Sequence, residues 1–293
     1  MRIRTGLAAV LVVFAVSAAD AQNPPVRPII PPEEPLEPDR PDVTNGSRIV
    51  DTGLLQLEIG GLFTRTSRNE YSFGSPVTAR VGIADWIEAR IGTDGFLSDV
   101  DAGTRSSGLG NVQVGAKLRV WADPGGAPVL SILPNVNLPA ANPDKGLGSG
   151  DPDYTVAFLT GTDVGERGHV DVNYGIGAIG AGGGLPHFLQ HLVSVSASLA
   201  LDEHWNPYFE TFWYSKVDSF GSALTAFDFG AVYTLTPRFA IDGGIQLGAT
   251  RAAPDFAAFG GVSVVVGDVL GEHGVRERQR NAEKRARARA PRR

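Results

Sequence analysis

Val112-Gln-Val-Gly-Ala-Lys-Leu-Arg-Val120 sets apolar residues at its even positions and Gln113, Gly115, Lys117 and Arg119 between them. Side chains of an extended chain alternate between two faces, so this stretch has one apolar face and one charged face. Leu55-Gln-Leu-Glu-Ile59 follows the same scheme with Glu58 interleaved. The same parity sets Arg80 between Ala79 and Val81, Glu88 and Arg90 between Ile87 and Ile91, and Asp171 and Asn173 among Val170, Val172 and Tyr174. It also turns Glu210, Asp228 and Asp242 away from Phe209, Phe229 and Ile241. About twelve segments of about 8 to 14 residues between Asp51 and Gly267 read this way, which is the pattern of a transmembrane β-barrel.

A soluble β-sandwich alternates as well. Two features favour the barrel. Arg2 and Arg4 precede an apolar run from Leu7 to Ala19, and Ala19-Asp-Ala21 fits a small-x-small cleavage site, so residues 1–21 read as a signal peptide. The run is too short to span as a helix, and no later stretch reaches the about 18 apolar residues that a spanning helix needs. The second feature is the rhythm of the connections. Long ones are expected near 66–74, 94–109, 139–152, 181–187, 217–222 and 250–255, and short ones at 84–85, 122–128, 163–168, 202–206 and 236–237. That alternation closes twelve antiparallel strands with both termini on the periplasmic side. Trp86, Trp121, Trp205 and Phe239 sit beside short turns, and Phe73, Tyr154, Phe188, Tyr214 and Phe256 beside long ones. Two such groups suit the aromatic girdles of the two membrane interfaces. Thirty-seven glycines and 42% hydrophobic residues suit a barrel with a polar inner face, and the chain has no cysteine.

Two flanking segments differ in composition. Residues 22–48 form a Pro-rich leader with eight prolines between Pro24 and Pro41, read first as an extended periplasmic spacer and second as a partial plug of the lumen. The tail from Arg276 to Arg293 carries nine basic residues against Glu277 and Glu283, within a disordered stretch expected over 268–293. A solvated charge run is the plain reading, and attraction to an anionic envelope polymer or lipid headgroup is the functional one. The tail has no aromatic residue for base stacking, and an exported chain does not meet nucleic acid, so none is expected as a partner.

Motifs that would carry chemistry fail their context tests. Gly175-Ile-Gly-Ala-Ile-Gly180 matches G-x-G-x-x-G but lies in an alternating strand with no following helix. The loop Asn142 to Asp153 gathers Asp144, Asp151 and Asp153 without calcium-loop spacing and reads as an external loop. His191 shares parity with Val193 and Val195, whereas Ser194 and Ser196 face the other way, so no nucleophile and base meet. His187 lies in the adjacent loop. No enzymatic activity, cofactor or metal is expected. What remains is the lumen wall, with Glu58, Arg80, Glu88, Arg90, Lys117, Arg119, Asp171, Glu210, Asp228 and Asp242 as its charged lining. Arg80 and Arg119 are the candidates for a constriction. Twelve strands enclose a narrow or partly filled interior, between a side-chain-filled eight-stranded barrel and an open sixteen-stranded porin.

Asp39-Arg-Pro-Asp-Val-Thr44 precedes the first strand, Gly53-Leu-Leu-Gln-Leu-Glu-Ile-Gly60 opens it, Gly108-Leu-Gly-Asn-Val-Gln-Val-Gly-Ala-Lys117 begins the fourth, and Leu133-Pro-Asn-Val-Asn-Leu-Pro139 ends the fifth. These pieces, in this order, resemble the outer-membrane family associated with the meta-pathway of phenol degradation. The resemblance covers about residues 39–266. It implies a barrel that moves small, often aromatic or hydrophobic, compounds across the outer membrane, and no catalytic residues. The chain departs from the family in having Asn111 where Asp is common, Ala140-Ala141 where Thr-Gly is common, and no aromatic residue after Val264-Val-Val266.

The expectations are therefore an all-β, closed antiparallel transmembrane barrel of about twelve strands over 49–267, placed in a bacterial outer membrane. Its partners are membrane lipid and small solutes that pass passively. The alternative is a structural or interaction barrel with a closed lumen and an envelope-tethering tail.

Overall fold

The computed structural model describes residues 36–40, 43–122 and 128–271. The expected signal peptide, the first part of the leader and all but the start of the tail lie outside them. Fifteen strands form one antiparallel sheet: β1 (Leu54–Ser67), β2 (Glu70–Gly74), β3 (Val77–Ala84), β4 (Ile87–Thr93), β5 (Phe96–Asp101), β6 (Thr104–Leu109), β7 (Val112–Ala122), β8 (Val129–Leu138), β9 (Asp153–Val164), β10 (Gly168–Ile179), β11 (Phe188–Leu199), β12 (Trp205–Tyr214), β13 (Leu224–Thr236), β14 (Phe239–Gly248) and β15 (Phe256–Asp268).

Twelve of these, β1, β3, β4 and β7 to β15, make the barrel. It closes because β15 returns to β1, in register from Leu54 opposite Asp268 to Arg65 opposite Phe256. Closure removes the two free sheet edges, whose backbone groups hydrocarbon could not solvate. The outward face is apolar: Ile59, Ile91, Val114, Phe158, Val172, Phe209, Phe229 and Ile241 are exposed on it. The inward face holds the buried charge, and Arg80, Lys117, Glu58, Glu88 and Glu210 are among the largest fully buried side chains. A closed barrel with an apolar exterior and an ionic interior is a membrane-spanning barrel.

Two of the expected long loops are strands. Residues 66–74 are the tip of the β1–β2 hairpin, and 94–109 are the β5–β6 hairpin, turning at Ala102 and Gly103 with φ of 46° and 86°. Their polar and small residues hid a period of two. β2, β5 and β6 prolong β3, β4 and β7 beyond the barrel as a rim flap, and the upper half of β1 pairs with β2. A crease runs across all three extensions at Ser75-Pro76, Asp94-Gly95 and Gly110-Asn111. Gly95 has φ +68°, and a Cβ there would sit 1.9 Å from the Ser75 carbonyl oxygen, so only glycine fits. Backbone bonds still cross the crease, from Ser75 N–H to the Phe96 carbonyl and from Asp94 N–H to the Asn111 carbonyl, and side chains take the return bonds: the Ser75 hydroxyl accepts from Phe96 N–H at 2.8 Å, and Asp94 accepts from Asn111 N–H at 3.0 Å.

The remaining long connections, 139–152, 180–187, 215–223 and 249–255, lie at the same end as the flap, and the described short turns lie at the other; most of the expected turn at 122–128 lies outside the described residues. One short turn is closed by Asp202, whose carboxylate accepts the backbone N–H of Trp205 and His204 and is held below its usual pKa by those bonds. Trp86, Trp121, Trp205, Phe73 and Tyr154 are exposed as girdle residues should be. Phe188 and Tyr214 are corrections: Phe188 is buried, and Tyr214 lines an interior cavity.

Candidate channel lumen and its plug

The described part of the leader is inside the barrel. Leu36 N–H bonds the Pro237 carbonyl at 3.0 Å in the β13–β14 turn, so the chain enters at the short-turn end. It returns to that end at Val50, whose N–H donates to Glu88 at 2.9 Å, before β1 begins. Asp39, Thr44, Ser47 and Val50 are buried. The expected periplasmic spacer over 22–48 is thus corrected for its described residues, which form a plug. The Asp39 carboxylate and the Thr44 hydroxyl find partners on the barrel wall, and that favours entry over solvation.

On the wall made by β1, β3, β4 and β7, cross-strand register brings five sequence-identified charges together. Gln56 is opposite Arg80, Gly82 opposite Glu88, and Glu88 opposite Lys117. Arg80 makes a bidentate pair with Glu88 at 2.8 and 2.9 Å and reaches Glu58 at 2.8 Å. With Arg90 and Lys117 the wall contributes three cations and two acids, and the plug supplies the third acid. Asp39 meets Lys117 at 2.7 Å, Arg90 at 3.0 Å and Arg80 at 3.5 Å. Lys117 also donates to the plug carbonyls of Gly46 at 2.8 Å and Arg48 at 3.2 Å. A buried charge needs a partner, so the barrel side of this cluster is balanced only with the plug in place.

The opposite wall holds the plug differently. Glu210 on β12 accepts Val43 N–H at 2.9 Å, Thr44 N–H at 2.6 Å and the Thr44 hydroxyl. Asp228 is its cross-strand neighbour on β13. Asp242 on β14 meets the plug's Arg40 at 3.4 Å, and that guanidinium also donates to the Gly260 carbonyl at 3.2 Å. Arg40 thus reaches across β14 and β15 toward β1, where Gly60 leaves it room: a Cβ there would come within 2.0 Å of the guanidinium. On β8, beside β7 of the first wall, Ser131 donates to the Ser47 carbonyl at 2.5 Å.

The plug lies between two cavities. One of about 340 Å³, toward the long loops, is lined by Val43, Arg90, Gln113, Asn135, Asn137 and Tyr214 among others. The other, about 370 Å³ toward the short turns, is lined by residues including Pro38, Arg48, His169, Asp171 and Tyr208. Asp171 is engaged by His169, which lies 3.3 Å from it and 2.7 Å from Asp163.

One sequence assignment needs changing. Arg119 does not join Arg80 at a constriction: its guanidinium turns to the Asp85 carbonyl in the β3–β4 turn. In the 142–153 loop, Asp151 accepts Gly182 N–H, and Asp153 accepts Gly180 N–H and the Asn137 amide, so these carboxylates are spent on loop closure. Among the described residues no group of three histidine or acidic side chains could hold a metal. His191 bonds the Tyr174 hydroxyl at 2.9 Å, while Ser194 and Ser196 are buried on the other face. The residues missed by sequence reasoning are those of the plug, Asp39, Arg40, Thr44 and Ser47. The available signal was the charged, non-alternating run Asp39 to Thr44 inside a Pro-rich segment.

Among solved structures, the chain is similar to a COG4313 outer membrane channel from Pseudomonas putida F1, with 13% identity, a TM-score of 0.63, and coverage of 76% of this chain and 100% of that one. It is also similar to the NanC porin, with 13% identity, a TM-score of 0.53, and coverage of 72% and 100%. These likenesses establish the shared barrel fold. No curated protein sequence matches the chain. Residues 38–265 match a family model, and the chain belongs to the family described as "Putative MetA-pathway of phenol degradation".

Proposed function

We propose that the chain is a non-enzymatic channel of a bacterial outer membrane, through which small solutes diffuse when the plug of residues 36–50 leaves its seat. The observation that carries this reading is the charge balance of the interior. The wall around Arg80 is short of one acid, and Asp39, on a segment outside the barrel strands, provides it. A segment held by such replaceable contacts is suited to be a gate. The described entry of the chain at Pro237 and the end of β15 at Asp268 put both ends of this unit beside the short turns, which supports a periplasmic location for both termini. The family description and the similar channel structures support a transport role, with small aromatic or hydrophobic compounds as the solute class.

The test is single-channel conductance of the purified full chain in a planar bilayer, compared with a chain lacking residues 23–47. Higher conductance on deletion is the expected result. Silence from both, with a folded barrel, would sink the channel reading for ion-permeable solutes. It would favour a second reading, a structural barrel filled by its own charges, for which the buried cluster at Arg80 speaks.

A further inference from the structure

On the rim flap, one cross-strand row runs Arg65, Tyr71, Val100, Arg105 through β1, β2, β5 and β6, each residue the direct partner of the next. Direct partners share a face, so these four side chains point the same way. The row one step closer to the membrane is Phe63, Phe73, Ser98 and Ser107. Phe63 and Tyr71 rings lie 6.2 Å apart, which fixes both rows on one surface. That surface is the outer one: Phe63, Tyr71 and Phe73 are exposed, as are Phe96 and Leu109 in the next row down.

The outer wall of the flap is therefore an apolar slope with arginines at its top. Lys145 adds a third cation beside it, donating to the Ser107 carbonyl at 2.9 Å. Among the described residues, Arg65 and Arg105 have no acidic partner, because Glu70, Asp99 and Asp101 flank Tyr71 and Val100 in sequence and so take the inner face. The two arginines are three strand spacings apart, about 14 Å. Their wide separation calls for negative charge at two points of one headgroup. The slope of Phe63, Phe73, Phe96 and Leu109 calls for acyl chains below it.

We propose that the outer wall of the β2–β5–β6 flap binds a glycolipid with two phosphates on its headgroup, Arg65 and Arg105 each taking one phosphate and the aromatic slope packing the acyl chains. The proposal rests on the reading above only in placing the flap end at the outer leaflet. Guanidinium suits this task because it pairs with phosphate through two parallel hydrogen bonds.

The experiment is binding of three probes to the detergent-folded full chain by native mass spectrometry: a bisphosphorylated glycolipid, its monophosphorylated form and phosphatidylglycerol. At about fivefold per cation near a lipid surface, the double variant R65Q/R105Q should bind the bisphosphorylated probe about thirtyfold more weakly. The monophosphorylated probe should bind about fivefold more weakly than the bisphosphorylated one to the unaltered chain. R251Q, on the loop before β15, should leave both unchanged. Equal binding by R65Q/R105Q overturns the site. Equal retention of phosphatidylglycerol, lost equally in the double variant, overturns the two-phosphate occupant in favour of any anionic lipid. Conductance is a separate readout, so a failed channel reading leaves these results standing. R65C in this cysteine-free chain reports orientation: exclusion of an impermeant thiol reagent from intact cells would refute the outer-leaflet placement alone.

Discussion

Asp39 and Lys117 are separated by 78 residues, yet the lysine Nζ lies 2.9 and 2.7 Å from the two carboxylate oxygens. One belongs to the plug and the other to the middle of β7. Their pairing joins a segment outside the barrel strands to the barrel wall itself.

Asp39→Asn should therefore open the channel. The variant keeps the shape of the side chain but leaves Arg80, Arg90 and Lys117 facing only Glu58 and Glu88. Breaking a buried pair from one side costs about 3 kcal/mol, which moves a closed-to-open ratio by about two orders of magnitude. Bilayer recordings should show open events far more often, with the open-state conductance unchanged. A record identical to that of the unaltered chain would remove Asp39 from the gate.

Lys117→Met tests whether the pair acts as a unit. Alone it strands Asp39 beside one cation fewer and removes the donor to Gly46 and Arg48. Combined with Asp39→Asn it restores a balance of two cations and two acids in the cluster. The double variant should unfold at a denaturant midpoint higher than the sum of the single losses allows, with a coupling of about 1 to 3 kcal/mol. Additivity within about 0.5 kcal/mol would mean the two residues stabilise the barrel independently.

Most of the barrel was legible because its signal is repetitive. A period of two survives even where a strand carries Lys117 and Arg119, since the charges keep to one parity. The flap strands were not legible, because on their outer face β5 and β6 hold Ser98, Ser107 and Arg105 where the barrel strands hold aliphatics, which breaks the apolar period of two. The lumen charges were found by parity, but parity gives a face and not a height. It could not tell that Arg119 turns to the Asp85 carbonyl while Arg80 stays at the centre. The plug was hardest to read. Its residues obey no period, and their partners lie up to 220 positions away.

The two grips on the plug should differ in kind. Glu210 accepts with both carboxylate oxygens, so Glu210→Gln keeps one acceptor oxygen for Thr44, loses the bond from Val43 N–H and loses the strengthening that charge gives. A charge-assisted bond is about twice as strong as a neutral one, and the expected loss is about 1 to 2 kcal/mol of plug docking. Thr44→Val, which removes one donor, should cost about 1 kcal/mol. Open probability should thus rank Asp39→Asn above Glu210→Gln and Glu210→Gln above Thr44→Val. An inverted order would place the main anchor on the β12–β14 wall.

Gly60 and Arg40 should behave as one site. Gly60→Ala puts a Cβ where the guanidinium lies, and a flexible side chain yields before backbone does. Arg40 would leave Asp242 and the Gly260 carbonyl. Gly60→Ala and Arg40→Ala should then raise open probability to the same extent, and the double variant should add nothing further. A larger effect in the double variant would show that Arg40 still seats on the alanine-bearing wall.

Gly95→Ala should damage the barrel itself. At this crease the clash is with the Ser75 carbonyl at 1.9 Å, and backbone fixed by the β2–β5 ladder cannot move aside without losing its pairs. Gly146 offers the matched comparison, because its φ is +71° but nothing lies within 4 Å of its absent Cβ. Gly146→Ala pays only the left-handed backbone cost of about 1 to 2 kcal/mol. Gly95→Ala adds a steric term and should lower the unfolding midpoint by clearly more, read as the temperature at which the folded band is lost on semi-native gels. Equal shifts would mean that the crease relaxes freely, and that the flap is hinged at Gly95 and not locked there.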